Sequence, residues 1–197
     1  MKKTWTTYQL AATGLMAAVM CLLGPLTVPI GPVPISLTVL TVFLAVSMVG
    51  MRLGTASYLV YLALGFVGLP VFSGFTGGVA KLAGPTGGYL IGFALMARIA
   101  GAFVEKGWNS KKYGAAWAAL GMALGLLVDY ALGTVWFTVV MKAGFWYALT
   151  ICVFPFVLGD ALKIALAVAV GGLLRDRLIR AHVLKPEQLY GKTGQPQ

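Results

Sequence analysis

No charged side chain occurs between Thr4 and Met51, and this apolar run is interrupted only by the proline- and glycine-rich stretch GPLTVPIGPVP at 24–34. A bilayer-crossing helix needs about 20 apolar residues, so the run predicts two spans, over about 8–23 and about 35–50. Arg52 and Gly54 mark a tight turn, and a third span over about 53–69 ends at Pro70. The segment PVFSGFTGGVAKLAGPTGG at 70–88 reads as a long outer loop. A fourth span over about 89–104, a polar connection at 105–112 and a fifth span over about 114–140 follow. The segment 143–155 is apolar and aromatic but too short to cross, and reads as a surface cap or re-entrant turn. The sixth span, 156–174, has 19 residues, or roughly 28 Å of helix. A basic tail occupies 175–197, and its last residues, GKTGQPQ, have the composition of a disordered terminus.

Composition sharpens this pattern. The 197 residues are 59% hydrophobic and 10% charged, with a mean hydropathy of +0.89. Soluble domains carry roughly 25% charged residues, so an ordinary water-soluble enzyme, a disordered chain and a disulfide scaffold are excluded. Strand-type alternation is absent, which argues against an outer-membrane barrel. The expectation is one all-α, multi-pass domain of six transmembrane helices in the cytoplasmic (inner) membrane.

Fifteen Lys and Arg against five acidic residues give a formal +10, which in a soluble chain would suggest nucleic acid. Here the cations lie between apolar runs, and no nucleic-acid partner is expected. Lys2, Lys3, Arg52, Lys106, Lys111, Lys112, Arg175, Arg177, Arg180, Lys185 and Lys192 fall on one side of a six-span topology, against Lys81 and Lys142 on the other. That asymmetry predicts that both termini are cytoplasmic. Cys21 and Cys152 sit in apolar stretches without metal-ligand spacing, and the lone His182 lies in the basic tail.

Four ionisable residues fall at membrane depth and ask for a reason. Arg98 can snorkel to the cytoplasmic surface. Asp129, in LLVDYALGTVW, reads either as a helix–helix hydrogen-bonding group or as a proton-relay carboxylate, with Trp136 on roughly the same face. Tyr130 reads as a packing or belt aromatic. Asp160 and Lys163 stand i, i+3 and share a face of the last span. They read equally as an ion pair bracing neighbouring helices or as a polar site facing an outward cavity.

The 70–88 loop carries glycines at 74, 77, 78, 84, 87 and 88, which open backbone conformations closed to other residues. Its exposed N–H groups suit a carboxylate or carbonyl, and its position suits a lid. GxxxG pairs occur at Gly88/Gly92 and Gly121/Gly125. No GxxxxGK[ST], HExxH or GxSxG motif is present, so any energy for transport must come from a partner or an ion gradient.

Five ordered segments carry a resemblance: PVPISL at 32–37, GLPVFSG at 68–74, GPTGGYLIGF at 84–93, VDYALGTVW at 128–136 and PFVLGDALK at 155–163. Together, in this order and spacing, they resemble the BioY family, the biotin-specific substrate-binding (S) components of energy-coupling factor (ECF) transporters. The resemblance implies the S-component fold and an outward biotin cavity. It also implies partnership with a transmembrane coupling subunit and a pair of ABC-type ATPases. Those ATPases alone use ATP, to drive toppling of the S component; the chain itself would need no cofactor. GDALK matches the family's GDxxK element, which makes Asp160 and Lys163 biotin contacts. The glycine-rich loop matches the family's lid, with Thr76 beside Gly77 where some members have Asn or Ser. Tyr89, Asp129 and Trp136 match the pattern, and Thr38 stands where many members have Gln. Gly14 and Ala18 match the small-xxx-small patch through which S components dock.

Chemistry agrees with the ligand. Lys163 can neutralise biotin's carboxylate, Asp160 or loop groups can accept from the ureido N–H groups, and Phe72, Phe75, Tyr89 and Trp136 can enclose the rings. Which end meets which residue is open from sequence. The competing reading is a stand-alone, proton-coupled carrier of biotin or another small vitamin, using Asp129 or Asp160; an internal repeat typical of such carriers is absent. An integral membrane enzyme has no supporting constellation.

Overall fold

Thr6 starts the first helix with a capping box: its Oγ1 accepts from the Gln9 N–H at 3.2 Å, and Gln9 Oε1 accepts from the Thr6 N–H at 3.1 Å. In the computed structural model, which describes residues 5–28, 34–108, 110, 114–182, 184 and 185, helix α1 (Thr7–Leu23) runs from this cap to Gly24. Beyond Gly24 and Pro25 the chain forms a feature absent from the sequence-based expectation, a minimal antiparallel pair of strands. Strand β1 (Thr27–Val28) lies against β2 (Ile35–Ser36), with Thr27 opposite Ser36. Residues 29–33, including Pro32 and Val33 of PVPISL, lie outside the described residues, as do Lys2, Lys3, Lys111, Lys112, Lys192 and the segment GKTGQPQ.

Helix α2 (Thr38–Phe66) contains a reversal. Gly50 adopts φ 84°, ψ 178°, a region essentially reserved for glycine. A Cβ placed on Gly54 would lie 2.9 Å from Val46 Cα. In a continuous helix these residues would be roughly 12 Å apart along the axis, so the chain folds back on itself at Gly50. The turn expected at Arg52–Gly54 therefore starts earlier, at the residue with the freest backbone. The arms are 38–49 and 51–66.

Helices α3 (Val79–Ala83), α4 (Gly87–Trp108), α5 (Gly114–Met141), α6 (Phe145–Cys152) and α7 (Phe154–Arg180) complete the chain. The 70–88 segment is thus not all loop, since α3 lies within it. The short segment after α5 is a helix of eight residues, and the start of the basic tail continues α7. Among the described residues four helices, α2, α4, α5 and α7, are long and apolar enough to cross a membrane, and α1 is a shorter apolar helix of 17 residues.

Helix α4 packs along α5 and, on another side, against α2. Both GxxxG pairs lie in the α4–α5 seam. A Cβ on Gly88 would overlap the Trp136 side chain, one on Gly92 the Asp129 carboxylate, and one on Gly121 Cβ of Phe103. On Gly125 it would sit 2.9 Å from the Met96 carbonyl oxygen. In a bilayer, where lipid gives no hydrophobic drive for association, such close approach supplies the packing that holds helices together. The core of the adjoining layer is aromatic: Tyr58 and Tyr61 are fully buried, with ring centroids 5.6 Å apart, and Phe93 and Phe72 stand edge-on to them. Both buried hydroxyls have partners. Tyr58 Oη donates to the Leu90 carbonyl at 2.5 Å and Tyr61 Oη to the Val71 carbonyl at 2.9 Å.

The two ends of the bundle differ. At one, Trp5 and Tyr8 meet Leu53 and Leu184, and Tyr8 Oη accepts from the Lys185 N–H at 3.0 Å. The Arg52 guanidinium lies over Trp5 and that of Arg175 over Trp108, 3.8 Å from the ring centroid in the second case. The β1–β2 pair and the 67–86 segment form the other end, the length of α1 away.

Replacing Gly125 by Val is expected to lower the thermal unfolding midpoint in detergent by several degrees, because its new atoms meet Met96 backbone. Gly159→Ala, with nothing within 4 Å of the added Cβ, should leave the midpoint unchanged or slightly raised.

Candidate functional site

The segment after α2 is tied down by main-chain bonds. The Gly78 N–H donates to the Gly65 carbonyl at 2.7 Å, the Gly74 N–H to the Pro25 carbonyl at 3.0 Å, and Phe72 and Thr76 exchange both of their backbone bonds. Gly74 and Gly78 take positive φ values of 73° and 87°, so the turns here need glycine. At the far end of α3, Trp136 Nε1 donates to the Gly84 carbonyl at 2.9 Å. This lid-like segment is therefore pinned to Pro25 just before β1, to α2 and to α5.

Beneath it lies a cavity bounded by β2, the start of α2, Ser73, Lys81 and Thr86 of the lid segment, α4, α5, α6 and α7. Its space, including the open mouth, is about 590 Å³. Val39, Leu90, Phe93 and Phe156 supply apolar wall. Polar groups converge on one side. Lys163 Nζ donates to Asp160 Oδ1 at 2.8 Å, and Tyr130 Oη donates to Asp160 Oδ2 at 2.5 Å. Asp160 is 3% exposed and Lys163 8% exposed, so both charges are largely removed from water and neutralise each other. One of the three ammonium donors is used by Asp160, and two remain for other acceptors.

Asp129 is 1% exposed and lines the same cavity, and its Oδ1 has no hydrogen-bond partner. Tyr89 also lines it, with its hydroxyl 3.2 Å from Thr134 Oγ1. Four of the residues singled out by sequence, Asp160, Lys163, Asp129 and Tyr89, are thus brought together. The pair on α7 borders open space and is not sealed in dry packing.

The other four do not line the cavity. Thr76 is exposed and its hydroxyl donates to the Ser73 carbonyl at 3.0 Å; Ser73, with Lys81 and Thr86, is where the lid segment reaches the cavity. Gly77 packs against the Leu69 backbone, where a Cβ would overlap the Leu69 carbonyl oxygen. Trp136 acts on the lid through Gly84. Thr38 is buried behind the wall, where its Oγ1 accepts from Ser36 Oγ at 3.1 Å. Of the aromatics expected to enclose rings, Phe72 is fully buried against Tyr61 and Phe75 is 65% exposed; the phenylalanines that line the cavity are Phe93 and Phe156. Tyr130, read as a packing aromatic, instead donates to the buried carboxylate. Its adjacency to Asp129 was the available signal, because neighbours on one helix can both reach a cavity at a helix seam. Lys81, counted only as an outer-loop charge, lines the cavity too.

Fold and site together define a multi-pass helical membrane protein with a small-molecule cavity near one end of its bundle. Residues 1–180 match the BioY family profile, and the chain belongs to that family. It is 38% identical over 167 residues to the probable biotin transporter BioY of Pyrococcus horikoshii, covering 85% of this chain and 96% of that one. It is 37% identical over 164 residues to the biotin transporter BioY of Thermotoga maritima, covering 81% and 90%. A crystal structure described as the S-component for biotin from an ECF-type ABC transporter superposes with a TM-score of 0.80 at 30% identity, covering 88% of this chain and 95% of that one.

Breaking the buried pair separates bracing from neutralisation. Asp160→Ala strands the Lys163 charge and is expected to cost about 3 kcal/mol of stability. Asp160→Ala with Lys163→Met should recover most of it, as read by thermal unfolding of the ligand-free protein.

Proposed function

We propose that this protein binds biotin in the cavity under the 67–86 segment and is the substrate-specific component of an ECF-type ABC transporter for biotin uptake. It is a transporter component and not an enzyme. The observation that carries the reading is the Tyr130–Asp160–Lys163 array on the wall of an otherwise apolar cavity. Biotin combines an apolar bicycle with a ureido group that both donates and accepts. A neutralised acid–base pair suits such a neutral polar group, with Lys163 donors left for the ureido oxygen. The unpartnered Asp129 Oδ1 is an acceptor awaiting an N–H, and Tyr89, Phe93 and Phe156 flank the ring volume.

Six crossings of the cytoplasmic membrane follow if α1, the two arms of α2, α4, α5 and α7 each span it. Trp5, Tyr8 and Lys185 gather at the end that holds Arg52, Lys106, Arg175, Arg177 and Arg180, so the positive-inside rule assigns both chain ends to the cytoplasm. The cavity then faces outward. ATP is consumed by partner ATPases, and the coupling subunit docks on α1. There Leu10, Gly14, Ala18 and Leu22 form an exposed stripe at i, i+4 spacing, with open space around Gly14.

The orphaned Asp129 oxygen is the one observation favouring the alternative, a stand-alone proton-coupled carrier. Purified protein should bind biotin without ATP or a proton gradient, and uptake in cells should collapse on loss of the ATPases but survive a protonophore. The reverse pattern would favour the carrier. Gly14→Leu or Ala18→Leu should leave biotin binding intact and reduce copurification with the coupling subunit; undiminished copurification would move the docking face elsewhere.

A further inference from the structure

The cavity's charges do not sum to what an anionic ligand needs on the α7 side. Asp160 and Lys163 cancel each other, and Tyr130 adds a neutral donor. Asp129 lies on the neighbouring wall with no cation in contact among the described residues. A carboxylate brought to that wall would meet one already-paired ammonium and, among the described residues, no free cation.

Across the cavity stands a different group. Lys81 lies in the middle of α3 and lines the cavity, and among the described residues its ammonium has no ion pair and no hydrogen bond. It is half-buried, and burial pushes its pKa below the ordinary lysine range, the direction expected of a cation held near apolar surface without a counter-ion. Its carrier is braced. Gly78 is tied to Gly65 at one end of α3, Gly84 to Trp136 at the other, and Leu82 packs on the core from the next position along. A charge on so constrained a segment is held in place before the ligand arrives, which reduces the ordering cost of binding.

We propose that Lys81 is the counter-charge for the ligand's carboxylate, fixing the acidic tail at the lid while the polar ring lies toward Asp160 and Lys163. This assignment rests on the biotin reading above. It makes the lid segment a selectivity element: it discriminates ligands by the charge at their tail, whereas the α7 pair reads the ring. Because the lysine stem also covers apolar surface, the informative substitution keeps the stem and removes only the charge.

The test is calorimetric titration of the purified full-length protein with biotin and with biotin carboxamide, which differs only in lacking the anionic tail. Lys81→Met should lower biotin affinity about tenfold or more while changing carboxamide affinity by less than about twofold. Lys81→Arg should restore biotin binding, and thermal unfolding should show Lys81→Met folded. Unchanged biotin affinity in Lys81→Met would overturn the assignment. Equal losses for both ligands would also overturn it, because the lysine would then act by shaping the lid. Asp160→Ala in parallel should weaken both ligands together. If the wild-type protein binds neither ligand, the biotin reading itself falls; if the wild type binds and only the Lys81 comparison fails, that reading stands and this one falls.

Discussion

Everything at the cavity depends on how closely α4 and α5 approach each other. Glycines at 88, 92, 121, 125 and 133 let side chains of one helix lie directly on the backbone of the other. Tyr89 fills the space over Gly133, and Asp129 fills the space over Gly92. The α5–α7 contact is much sparser. A seam packed on one side and loose on the other leaves a wedge of space, and the wedge is the cavity. Residues on the tight seam cannot relax into it, so Asp129 and Tyr130 are held at its edge by packing that lies behind them.

Within that wedge the charges obey a strict constraint. A lone ion at this depth is expensive, and the molecule meets the cost by joining Asp160 to its own i+3 lysine on one helix and capping the remaining oxygen with Tyr130. Two consequences follow. The array needs no partner from lipid or water to be tolerable when empty. It also leaves spare donors on Lys163 and an unused acceptor on Asp129, so the same groups that stabilise the empty form have capacity for a polar ligand.

Much of this was legible in the residues. Apolar runs separated by charges located the long helices, because a helix that faces lipid must be apolar over its whole length. The i, i+3 spacing of Asp160 and Lys163 showed that they share a face, since helical periodicity alone decides that. What failed to show was anything set by contacts between distant segments. Thr76 and Thr38 carry suitable hydroxyls, yet local turns bury or expose them away from the cavity. Trp136 shares a helix with Asp129 but turns its indole toward Gly84. Tyr130 became a donor only because α7 brings Asp160 beside it. The reversal lies at Gly50, earlier than the charged turn implied, because backbone freedom decided the position and the polar residue followed.

The two tethers on α3 bear on timing. A segment held at Gly65 and at Trp136 does not swing as a free flap, so lifting it requires one of those bonds to break along with the local packing of Leu82. Such a movement is a local unfolding event with its own activation barrier. The rate of that movement is in this sense a mechanical property of a five-residue helix and its two fastenings.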